Sequence, residues 1–196
     1  MGAIAPHPAK HCAMPLISVR TSMLPIALTR VAGAAPAAAA RFDSVYPDLD
    51  LDACSIFSAN DFSVVRACPG YKGIPVMVAE DDARFLVSYG LDSTREMAAS
   101  QTLGPFNWLG AKIEWRLSNT EGPWKPFATI LRWHTDSGDG NTGQILVVTS
   151  IAPGNTCHIA RVDAALPDAN QLARDAADRL GFAFDCATDQ PEIVGP

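Results

Sequence analysis

The sequence predicts an α+β fold: a mainly antiparallel sheet of about six strands, a short central helix, and a C-terminal helix packed on one face. Three observations predict it. Residues 112 to 162 contain four strand-like runs separated by turn chemistry, a C-terminal four-strand meander. The links NTEGP, DSGDGNTG and PGN are too short for crossover helices, so neighbouring strands run antiparallel. Near the end, LPDANQLARDAADRLG has the apolar spacing of a helix.

The chain has 196 residues, 48% hydrophobic and 18% charged, which suits one globular domain. The formal charge is -6, but the first 40 residues carry Lys10, Arg20 and Arg30 with no acid. Of 15 basic residues the rest of the chain keeps 12, against 21 acidic ones, a net of -9. Such a body repels phosphate backbones and anionic lipid, and no basic run interleaved with aromatics opposes that, so nucleic acid is excluded as a partner. No stretch approaches the roughly 20 uninterrupted apolar residues of a transmembrane helix.

Residues 1 to 40 combine scattered positive charge, apolar runs and a small-residue string with A-x-A sites ending near Ala39 or Ala40. This predicts a signal peptide and a periplasmic or secreted protein; a disordered Ala/Pro-rich leader is the alternative. The leader is long and Arg30 interrupts its apolar region, so a start at Met14 or Met23 is a further option. The globular domain is expected over residues 41 to 187, with a loose tail over 188 to 196.

Cys12 falls in the leader, leaving Cys54, Cys68, Cys157 and Cys186. An even set in an exported chain points to two disulfides, and three connectivities are open. Local pairing, Cys54 with Cys68 and Cys157 with Cys186, is favoured and would tie the last helix to the last strand. A metal role is disfavoured: there is no C-x-x-C, and His158 beside Cys157 would point to the other face of a strand.

Taken in order, Asp48, Asp50 and Asp52 alternate with Leu49, Leu51 and Ala53, predicting a half-exposed edge strand rather than a calcium loop. Ile74 to Ala79 and Arg84 to Tyr89 predict a hairpin with a four-residue connection, Glu80 to Ala83. Ser93 and Glu96 have capping-box spacing, predicting a short helix over Ser93 to Leu103, stopped by Gly104 and Pro105. In Lys112 to Ser118, Ile113, Trp115 and Leu117 face the core while Lys112, Glu114 and Arg116 face water. In Pro126 to Thr135, Phe127, Leu131 and Trp133 are expected on one face and Ile130 on the other. Gln144 to Ile151 is the most apolar run and belongs in the middle of the sheet. Asp168 and Gln171 are expected to cap the terminal helix and Gly181 to close it. Leu172, Ala173, Ala176 and Leu180 form its buried stripe, and Arg174/Asp178 and Asp175/Arg179 pair along its outside.

No G-x-S-x-G, H-E-x-x-H, G-x-x-x-x-G-K-[ST] or G-x-G-x-x-G occurs, so no catalytic residue, metal ligand or cofactor is assigned. His134 and His158 are the histidines beyond the leader. Simple pairing sets His158 opposite Thr149 and Thr149 opposite Thr129, five residues from His134, more than about 15 Å apart. The candidate ligand-binding residues are Trp108 and Trp124, in the loops GPFNWLG and EGPWKPF, and Asp136, Asp139 and Asn141 in the DSGDGNTG loop. Trp115 and Trp133 belong to the core. The combination looks like the common build of exported bacterial proteins, which assigns no residue a role. The expected function is a non-enzymatic exported protein that binds a protein or small molecule. The alternatives are a small hydrolase using carboxylates from Glu80, Asp81, Asp82, Asp136 and Asp139, and a purely structural envelope component.

Overall fold

A computed structural model describes Gly2 and residues 41 to 195; the expected leader and its cleavage site lie outside the described residues. The α+β class holds, but ten strands among the described residues form two sheets rather than one. The strands are β1 Phe42–Val45, β2 Ser55–Ala59, β3 Ser63–Cys68, β4 Val76–Asp81, β5 Arg84–Tyr89, β6 Phe106–Ser118, β7 Lys125–Asp136, β8 Thr142–Ser150, β9 His158–Asp163 and β10 Glu192–Val194. The one α-helix described, α1, is Ala169–Leu180. One sheet has the order β1-β6-β7-β8-β9-β10 and the other β2-β3-β4-β5. The predicted meander is β6 to β9, antiparallel throughout, with β8 inside the sheet.

Both faces of the six-stranded sheet are covered. On one, Ile113, Trp115, Leu131, Trp133 and Val147 meet Val76, Val78, Val87 and Tyr89 of the smaller sheet. Trp115 and Trp133 are 0% and 1% exposed. Each removes roughly 200 Å² from water, about 5 kcal/mol at 25 cal/mol per Å². Among the described residues neither indole N–H has an acceptor, a cost of about 1–3 kcal/mol that burial exceeds. On the other face, Ala169, Ala173, Ala176 and Ala177 of α1 settle onto Ile130, Leu146, Val148 and Val162. Alanines allow that close approach, and Gly181 continues it: a Cβ there would stand 2.6 Å from the Phe127 ring.

Bulges change which side chains share a face. Arg116 pairs with Ala128 and Leu117 with Pro126, so Phe127 is the extra residue. It therefore packs on the α1 side, not with Leu131 and Trp133 as period two implies. Val148 pairs with Ala160 and Thr149 with His158, which makes Ile159 a second such residue.

Other expectations are corrected. Asp48 forms only an isolated bridge to Lys112, and Leu51–Ala53 is a 3-10 turn whose first amides are capped by Asp50, Oδ1 accepting the Asp52 N–H at 3.0 Å. The chain turns there because an aspartate at a turn start captures the amide two residues on. The β4–β5 hairpin closes with two residues, Asp82 and Ala83, at φ 50° and 56°, because Glu80 and Asp81 extend the ladder. Ser93 to Leu103 is not a helix but two 3-10 turns, Ser93–Arg95 and Met97–Ser100. Glu96 does not complete a capping box; its carboxylate accepts the N–H of Gly154 at 2.6 Å and of Thr156 at 3.0 Å.

The supposed wet face of β6 lies beneath α1, where Glu114 and Arg116 are 7% and 6% exposed. Their charges are met by Arg174 and Asp178 of the helix, so the expected Arg174/Asp178 pair is not made. Arg179 likewise reaches Glu192 at 2.8 Å, and Asp175 accepts from Gln171. Asp168 precedes α1 in a left-handed conformation without a side-chain cap. Within the expected loose tail, Glu192–Val194 pairs parallel to β9. Both disulfides are the local ones, Cys54–Cys68 and Cys157–Cys186.

Candidate functional site

The end of the six-stranded sheet where β7 turns into β8 gathers four of the five nominated residues. Trp108 pairs with His134, and His134 with Gln144, a row across three strands. Phe106, Asp136 and Thr142 make the row beyond it. Trp124 is not part of this end. It lies just before β7 begins, half-buried on the core between the sheets, with its carbonyl accepting Lys72 Nζ at 3.0 Å.

Trp108 lies in β6 itself and not in the predicted loop; GPFNWLG joins the strand because Phe106 to Leu109 pair with Trp133 to Asp136. Its neighbour Leu109 faces the inter-sheet core, so the indole projects to the α1 side. The ring is 45% exposed and stacks flat on the His134 imidazole, with centroids 5.4 Å apart and planes 6° apart. Both rings border a groove of about 570 Å³ with Gln144 and Asp163.

Asp136, Asp139 and Asn141 organise the β7–β8 loop. Asp136 Oδ1 accepts the Gly138 N–H at 2.8 Å. Asp139 accepts from the Ser137 hydroxyl, from the Asn141 N–H at 3.1 Å and from Asn141 Nδ2 at 2.9 Å. These bonds, led by that of Ser137, hold its carboxyl below the usual carboxylate range. Gly138 and Gly140 adopt φ of 82° and 92°, as the tight turn requires. The carboxylates are thus committed to loop amides and hydroxyls. Among the described residues no three His, Cys, Asp or Glu side chains are placed to hold a metal ion.

The sheet's other face at this end bears a residue not nominated from sequence, Arg161. Its partner in β8 is Val147, which belongs to the core between the sheets. Arg161 lines a groove of about 480 Å³ that also takes in Asp136, Ser137 and Asn141. One wall is the segment before β6, fixed by buried Asn107: its Nδ2 donates to the Leu103 carbonyl at 2.7 Å, and its Oδ1 accepts the Phe85 N–H at 2.9 Å. Beside Arg161, His158 is fully buried with its ring edge on Trp133. The bulge at Ile159 costs the His158 N–H its ladder partner; Gln101 Oε1 accepts it instead at 2.7 Å.

Of the remaining carboxylates considered in sequence, Glu80 pairs with Arg66 at 3.6 Å, Asp82 with Arg84 at 3.7 Å, and Asp81 lies opposite Arg84. Compared with protein-family models, with curated proteins and with solved structures, the chain matches none.

Proposed function

We propose that this chain is an exported, disulfide-stabilised binding protein that takes a flat or ring-shaped ligand, such as a sugar, on the Trp108 face of the sheet. The observation that carries the reading is the Trp108 ring, nearly half exposed yet held flat against His134. Leaving so large an apolar ring in water is costly, and the stack removes the freedom it would otherwise lose on binding. The two disulfides are compatible with export. The carboxylate hydrolase is weaker: among the described residues Glu80, Asp82, Asp136 and Asp139 each hold an ion pair or loop hydrogen bonds, Asp163, which shares a groove with Asp136, is likewise held by a loop amide, and Asp81 is exposed opposite Arg84.

The test is a glycan and heterocycle binding panel with the full chain and its Trp108→Ala variant, compared at equal folded fraction. A ligand held by the natural chain and weakened about tenfold or more by the substitution supports the reading. Reproducible turnover of a hydrolase substrate, lost on changing one of Glu80, Asp81, Asp82, Asp136 or Asp139, would overturn it.

A further inference from the structure

Among the described residues Arg161 is a cation without an anion. Its Nε is buried with no hydrogen-bond partner. Its Nη2 has only two contacts at the outer limit, the Thr102 carbonyl and His158 Nδ1, both at 3.5 Å. Burial lowers its pKa, yet a guanidinium stays charged at neutral pH. His158 beside it supplies no negative charge and, buried, has its pKa pushed down to about 3. In a body that is otherwise strongly acidic, a half-buried, unpaired guanidinium facing a groove lacks a carboxylate.

The groove indicates what else that carboxylate carries. Ile145, Leu103, Pro105, Ile193 and Val194 line it with Arg161, so an aliphatic chain has apolar surface to cover. Asp136 and Asp163 also border it, each with Oδ1 accepting a loop amide at 2.8 Å, from Gly138 and Ala165 respectively. Asp163 shares the Arg161 face two residues along β9 but is held by that amide rather than by the arginine. Acids in the wall repel any carboxylate; the guanidinium offsets that repulsion at its own fork, and a second carboxylate on the ligand meets no further cation in the groove lining to offset it.

We propose that the groove floored by Arg161 is a binding site for an aliphatic monocarboxylate, whose two oxygens take the guanidinium fork while the chain lies on Ile145, Ile193 and Val194. The proposal rests on Arg161 and not on Trp108, which projects from the opposite face of the sheet and whose groove meets this one at Thr142, Gly143 and Asp163. A free short-chain acid and the C-terminus of an apolar peptide present the same chemistry.

Isothermal titration of the full chain with hexanoate, hexan-1-ol and adipate tests it. Hexanoate is expected to bind one to one. Hexan-1-ol and adipate should each bind about tenfold more weakly, and Arg161→Gln should lose about tenfold to a hundredfold in hexanoate affinity. A pentapeptide ending in two leucines, as free acid and as amide, distinguishes the sources: a free-acid form tighter than hexanoate and lost on amidation assigns a chain end, and a weaker one assigns a free acid. If Arg161→Gln fails to fold, Arg161→Lys and the hexanoate-to-hexanol ratio carry the test. Equal binding of hexanoate and hexan-1-ol, no hexanoate binding at millimolar concentration, or an unchanged affinity in a folded Arg161 variant overturns the proposal.

Discussion

Arg116 on β6 and Asp178 on α1 meet fork to fork: Nη2 lies 2.6 Å from both carboxylate oxygens and Nε 3.0 Å from Oδ1. The same guanidinium donates to Ser44 Oγ at 2.6 Å, and Ser44 Oγ donates to Glu114, which also accepts from Arg174 at 2.7 Å. Charges of both signs are thus interleaved between the sheet and its helix. Removing one member strands its partner. Asp178→Asn should cost about 3 kcal/mol, because it leaves Arg116 buried beside half its former charge. The double variant Arg116→Met, Asp178→Leu should regain most of that loss. Urea denaturation of the natural chain and the two variants measures it; a double variant no more stable than Asp178→Asn would show that the stranded Arg116 charge is not the cause of the loss.

Glu96 offers a second check on long-range polar contacts. Its carboxylate is 8% exposed and fastens the segment after β5 to the turn before β9 through the amides of Gly154 and Thr156. Glu96→Ala leaves two amides without acceptors, so a loss of about 2–4 kcal/mol is expected. Glu96→Gln keeps one good acceptor and should lose about half as much. Chemical denaturation midpoints compare the two, and hydrogen exchange should speed up at both Gly154 and Thr156 in the alanine variant but at only one of them in the glutamine variant.

The disulfides should not contribute equally. Cys157–Cys186 spans 29 residues and both sulfurs are buried, whereas Cys54–Cys68 spans 14 and Cys54 is more exposed. The longer loop alone is worth about 0.6 kcal/mol more. It also holds Phe184 and Cys186 onto the core beneath α1. Each paired Cys→Ser variant should fall by roughly 2–5 kcal/mol, the Cys157/Cys186 pair by the larger amount. Thermal melts of both, with the natural oxidised chain as reference, decide the order; the reverse order would contradict this account.

How much of this was legible in the sequence depended on whether the governing contact was local. The meander, the buried Trp115 and Trp133 and the helix follow from periodicity, which acts within a few residues; local disulfide pairing is favoured, but spacing leaves three connectivities open. The α1 layer over Glu114 and Arg116 does not: alternation marks them as the polar face, and only the helix some 60 residues later turns that face inward. Glu96 failed as a capping residue for the same reason, since its acceptors found amides across the chain. Arg161 was hidden by the bulge at Ile159. Period two groups Ile159 with Arg161, but the extra residue sends Ile159 to the helix side and leaves Arg161 beside His158. At the site, the Asp136 to Asn141 loop was recognisable from composition, whereas the Trp108–His134 stack needed the register between β6 and β7.

His158 supplies a pH test of that buried corner. Burial, with a smaller contribution from the Arg161 charge, pushes its pKa from the ordinary 6.5 down to about 3. Below pH 6.5 the unfolded chain takes up a proton on this residue that the folded chain refuses until about pH 3. The stability due to neutral His158 is therefore complete above pH 6.5 and lost as pH falls toward 3, at up to about 1.4 kcal/mol per unit. His158→Gln removes this dependence but keeps a polar side chain of similar size. At neutral pH the variant should be less stable by about 1–3 kcal/mol, through lost contact with Trp133. As pH falls its deficit should shrink, because only the natural chain faces the added penalty. Urea unfolding from about pH 7 to about pH 4 follows the difference; curves that stay parallel would show that His158 binds its proton equally in both states and is not buried as described.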